Sequence, residues 1–164
     1  MKSFLKLAPL ALLALGGCGQ ADKAGEPAGQ ATQAAPEAKP GFTVRDGVLI
    51  LPVIAGRPGA AYFTLTNGGD AAGTLAAVTI EGVGKAEMHE TKGGAMSPLG
   101  VVELKPGEAV KFERGGKHVM AFDIADTVKP GGTAELTLTF AGGDKVSTPL
   151  KVEAMGGTAM EHGN

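Results

Sequence analysis

The chain has 164 residues, with 15 Lys and Arg against 17 Asp and Glu, a formal net charge of −2. A balance this close to neutral argues against a nucleic-acid binder, whose phosphate partners need a basic face. The single cysteine, Cys18, excludes an intramolecular disulfide and leaves no thiolate elsewhere for metal binding, nucleophilic attack or redox work.

Met1 to Gly17 begins with Lys2 and Lys6 and continues as an apolar run from Leu7 to Leu15, broken only by Pro9. The run is too short to span a bilayer, and its basic flank and small-residue end mark residues 1–17 as a secretory leader. Leu15-Gly16-Gly17-Cys18 resembles a lipobox, so the expectation is cleavage before Cys18 and acylation of its thiol. An ordinary leader cut a few residues later, with a free thiol, is the alternative. The expected location is the periplasm, on a membrane anchor. Losing Lys2 and Lys6 with the leader leaves 13 basic against 17 acidic side chains, a net charge of −4 with histidine neutral.

After Cys18, residues 19–40 are mostly Ala, Gly, Gln and Pro with scattered charge, and no Val, Ile, Leu or Phe, so 18–40 is one segment. Such a segment buries too little apolar area to offset the entropy of ordering it, and Gly25, Pro27, Gly29 and Pro36 interrupt any helix. The reading is a flexible tether. As a random coil it would reach ~25–30 Å.

From residue 41 to residue 153 the pattern becomes period two, punctuated by Gly and Pro. Ala61, Phe63 and Leu65 alternate with Tyr62, Thr64 and Thr66 before Asn67-Gly68-Gly69, and Glu135-Leu136-Thr137-Leu138-Thr139-Phe140 precedes Ala141-Gly142-Gly143-Asp144. With Val48–Leu51, Val78–Ile80, Ala86–Glu90, Val110–Phe112, Val119–Ile124 and Val146–Val152, about eight short strands are expected. No window keeps a helical apolar stripe for three turns. The expected fold is all-β, an antiparallel sandwich or barrel with one core.

Two of the three histidines sit beside methionines, in Met88-His89 and His118-Val119-Met120. Two residues apart on an extended segment, His118 and Met120 project to one face. Met96 lies in the Gly-rich stretch Lys92-Gly93-Gly94-Ala95-Met96-Ser97-Pro98, expected to be an exposed loop where burial does not explain a methionine. Thioether sulfur and imidazole, without thiolate or carboxylate, suit Cu(I) better than zinc, calcium or magnesium. Singly, each residue has a plainer explanation: Met120 alternates with Phe122 and Ile124 and so reads as core, His89 as a surface histidine, and Met88 as its inward neighbour. The metal reading rests on the set.

That set resembles the periplasmic PCu(A)C-type copper chaperones, whose ligand pattern is a His, ten residues, a Met, twenty-one residues and then His-x-Met. Here Met96 is followed by twenty-one residues and His118-Val119-Met120, while six residues separate His89 from Met96, a trimmed hairpin loop. Ala86-Glu87-Met88-His89-Glu90-Thr91 is similar to the family's first ligand segment, and the likeness extends over Ala60-Ala61-Tyr62-Phe63, Leu104-Lys105-Pro106-Gly107, Gly116-Lys117-His118 and Val128-Lys129-Pro130-Gly131. The resemblance implies a cupredoxin-like Greek-key β-sandwich binding Cu(I) through His89, Met96, His118 and Met120. It also implies delivery to the CuA subunit of cytochrome c oxidase, alongside Sco-type thiol proteins, by a monomer.

Residues 154–164 lapse from the strand pattern but carry Met155, Met160 and His162, similar to the family's Met- and His-rich extensions. A second copper site there, open to Cu(II) as well as Cu(I), stands against a functionless end. A copper buffer without an acceptor, or a structural lipoprotein with incidental Met and His, are the rival functions. An enzyme is not expected: Ser97 and Ser147 are the only serines after the leader, and neither a G-x-S-x-G turn nor a phosphate-cradling loop occurs.

Overall fold

The computed structural model describes residues 41–156; the leader, the tether and the tail beyond Gly156, with the expectations placed on Cys18, Met160 and His162, lie outside the described residues. The described residues form ten strands: β1 (Phe42–Leu51), β2 (Gly59–Asn67), β3 (Gly73–Ile80), β4 (Val83–Lys92), β5 (Ala95–Pro98), β6 (Val102–Leu104), β7 (Ala109–Phe112), β8 (Lys117–Ile124), β9 (Thr133–Phe140) and β10 (Lys145–Ala154). They hydrogen-bond in the order β5-β4-β8-β7-β2-β1-β10-β9-β3-β6, with β8 also pairing β2. Most neighbours in that order are not consecutive in the chain, as a Greek-key sandwich requires. The ladder is antiparallel except at β1–β10 and at the Phe112–Lys117 pair of β7 and β8.

Alternation decides which faces meet. In β2 the inward set is Ala61, Phe63, Leu65 and Asn67, and in β9 it is Ala134, Leu136, Leu138 and Phe140. These join side chains from β1, β3, β4, β6, β7, β8 and β10 in one apolar cluster. Phe63 stacks on Phe112 at 4.4 Å between ring centroids, and Phe42 meets Phe140 at 4.4 Å with the rings tilted by 55°. Each such side chain contributes about 1.5–3 kcal/mol on burial, so the core holds the fold without a disulfide.

Two polar side chains among the described residues are buried, Asn67 and His118. Asn67 is fully buried at the end of β2; its Nδ2 donates to the carbonyls of Ala71 (2.9 Å) and Leu104 (3.2 Å), and its Oδ1 accepts from the Gly69 amide (3.1 Å). Its backbone also pairs with Glu108 and Gly107. The residue thus ties the β2–β3 and β6–β7 connections together with its side-chain amide satisfied.

Candidate functional site

Two neighbouring strands and an edge strand carry the histidines and methionines. In β8, Val119 and Ala121 are buried in the core, so the alternate residues His118, Met120 and Phe122 project from the opposite face. Met120 is therefore not core. In β4, Met88 is in the core and His89 projects the other way. The register sets His89 opposite His118 and Glu87 opposite Met120, so these four share one face.

Met96 does not lie in a loop. Gly93 and Gly94 adopt φ values of 59° and 82°, which a two-residue hairpin turn demands and glycine supplies, and Ala95–Pro98 pairs back on β4 as β5. Six residues between His89 and Met96 is thus the length of a tight hairpin. Met96 pairs with Thr91, two along from His89, and so falls on the same face. Its side chain is 55% exposed on an edge strand.

The His118 imidazole is held at both ends. Its Nδ1 lies 3.0 Å from the carbonyl oxygen of Gly116, and its Nε2 lies 3.3 Å from Sδ of Met96. A carbonyl only accepts, so the neutral ring keeps its proton on Nδ1. The Nε2 lone pair then faces a thioether sulfur, which has no proton to give. Two electron-pair donors thus face one another. His89 stacks beside this ring at 6.1 Å between centroids, 29° from parallel, and both of its nitrogens are buried without a hydrogen-bond partner. Burying such atoms is costly unless something pairs with them.

Charged side chains frame the donors. Glu87 accepts from Lys85 at 2.9 Å and places its other oxygen 3.7 Å from Nε2 of His89. The hydrogen bond from Lys85, with smaller help from His89, holds the Glu87 carboxyl below its ordinary range. Glu90 receives Lys117 at 2.7 Å and Lys92 at 2.8 Å, and these bonds, that of Lys117 first, lower its pKa as well.

The structure therefore gathers His89, Met96, His118 and Met120 on one face, with Met96 and His118 in contact. Met155 lies elsewhere, at the end of β10, 52% exposed, with its amide donating to the Leu51 carbonyl. Among the described residues no cluster of three or more His, Cys, Asp or Glu is placed to hold a metal. A recess of about 580 Å³ lies at the β1–β10 junction, lined by Val44, Asp46, Pro149 and Lys151 among others, and none of the four donors reaches it. Two contributors had escaped the sequence reading. The Gly116 carbonyl leaves no trace in side-chain identity, whereas Glu87 could have been found by its period-two spacing from His89.

Residues 42–152 match the LpqE-like lipoprotein family. No curated protein matches the chain. Among solved structures, the copper-bound PCuAC domain from PmoF2 is similar over 70% of this chain and 93% of its own, at 24% identity and a TM-score of 0.59. The apo form of that domain gives 0.60 over 74% and 94%, also at 24% identity. The Cu(I) form of DR1885 from Deinococcus radiodurans gives 0.56 at 22% identity over 74% of this chain and 81% of its own. The fold is that of PCuAC domains, a cupredoxin-like β-sandwich.

Proposed function

This chain belongs to the LpqE-like lipoprotein family, and from that membership and the donor face we propose a membrane-anchored carrier that binds Cu(I) and passes it to another protein. The ligands are His89, Met96, His118 and Met120, and lipid on Cys18 tethers the domain. One observation carries the reading: Nε2 of His118, its proton committed elsewhere, faces Sδ of Met96 at 3.3 Å. Taking zinc's bonds of about 2.0 Å to imidazole and 2.3 Å to sulfur as the guide, two donors on a tetrahedral ion stand about 3.5 Å apart. The unpartnered nitrogens of His89 add a third donor, and Met120 supplies a fourth from the same face. A soft, uncharged N and S donor set favours Cu(I). The copper-bound PmoF2 domain and Cu(I)-DR1885 share the fold, which agrees with this choice.

Delivery follows from the same chemistry. A neutral site at a surface binds copper less tightly than thiolates do, and an exposed Met96 can be exchanged for an incoming ligand. The CuA subunit of cytochrome c oxidase, reached directly or through a Sco-type protein, is the proposed acceptor. Met155, Met160 and His162 form the proposed second capture point, for Cu(I) or Cu(II).

Competition for Cu(I) with a coloured chelator tests the reading. His118→Ala and Met120→Ala should each lose at least tenfold in affinity with an unchanged circular dichroism spectrum. Wild-type competition by both variants would remove the proposal.

A further inference from the structure

We propose that Glu87 is a positioning residue that holds the Nε2 proton of His89, so that His89 meets the metal through Nδ1 while His118 meets it through Nε2. This rests on the copper reading above. The starting point is the pair of buried, unpartnered nitrogens on His89. A neutral imidazole has one N–H and one lone pair, so both are satisfied together when an acceptor meets one nitrogen and a hydrogen-bond donor or a cation the other. The acceptor is at hand: Oε2 of Glu87 stands 3.7 Å from Nε2. A shift of under about 1 Å brings the two within hydrogen-bonding distance.

Two features fit Glu87 to the task. Lys85, Glu87 and His89 follow one another at period two on one face of β4, so the strand itself sets their spacing. Lys85 engages Oε1 at 2.9 Å, which leaves Oε2 for the imidazole. A carboxylate on the far nitrogen of a ligating histidine fixes both its tautomer and its ring plane. In His118 that duty falls to the Gly116 carbonyl, on Nδ1. The two rings thus present opposite nitrogens.

Long-range ¹H–¹⁵N spectra of the whole, ¹⁵N-labelled chain read this directly, with Ag(I) as the redox-inert probe. In metal-free wild type the His89 proton should sit on Nε2, and one equivalent of Ag(I) should move Nδ1 of His89 and Nε2 of His118. Glu87→Ala should release the tautomer and weaken Ag(I) binding about tenfold or more, with the amide fingerprint intact. Glu87→Gln, whose amide oxygen still accepts, should keep the tautomer. A metal-free His89 protonated on Nδ1, an Ag(I) shift at its Nε2, or a Glu87→Ala variant with unaltered tautomer and affinity would each overturn the assignment. Should Ag(I) perturb neither ring, the copper reading falls, and the metal-free tautomer in wild type and Glu87→Ala still decides what Glu87 does.

Discussion

The proton on His118 Nδ1 is committed to the Gly116 carbonyl, and that commitment turns an ordinary cross-strand histidine into one with a lone pair aimed at Met96. Half of this was legible in the amino-acid sequence. His118-Val119-Met120 on an extended segment has to place its outer residues on one face, whatever the fold around it. Whether that face was core was open, and only the burial of Val119 and Ala121 decided it. The carbonyl could not be foreseen, because every residue has one. Asn67 shows the same limit: it read as a turn residue, yet its side chain makes three buried or partly buried hydrogen bonds. Asn67→Ala strands the Ala71 and Leu104 carbonyls and the Gly69 amide. It should cost about 2–4 kcal/mol, seen in urea unfolding as a lower midpoint with an unchanged slope.

At the scale of elements, eight of the strands follow alternation long enough to be read. β5 and β6 do not, since Ala95–Pro98 is exposed throughout and Val102–Leu104 is three residues long. Missing β5 meant placing Met96 in a loop. The same hairpin shows how the shorter spacing still puts Met96 on the face of His89: shortening a hairpin by two residues in each arm leaves every side chain on its original face. Glu90 fastens that hairpin. It joins Lys92 at the tip of β4 to Lys117 of β8, and its side chain is only 16% exposed. Its pKa lies below the ordinary value near 4.5, so its stabilising effect is present above that value and is lost as pH falls through the lowered one. Glu90→Gln should therefore unfold at a lower temperature than wild type at pH 7, and the gap should close on acidification. A gap independent of pH would show that the ion pairs contribute nothing.

For the whole molecule, period-two patterning and turn chemistry led to an all-β sandwich, and the described residues form one, with a single core and no thiol within it. The crossing connections were not legible from pattern alone, because alternation says which face of a strand is apolar and not which strand lies beside it. Those connections matter most to function: they set β4 against β8, and so His89 against His118, across almost thirty residues of chain. On the proposed reading, two buried imidazoles beside an exposed Met96 suit an ion that is held and then surrendered. X-ray absorption at the copper edge of the Cu(I)-loaded chain tests this most directly. The account predicts two nitrogen and two sulfur neighbours, with sulfur lost in stages from Met96→Ala and Met120→Ala. A spectrum of nitrogen and oxygen neighbours alone, with no sulfur, would contradict it.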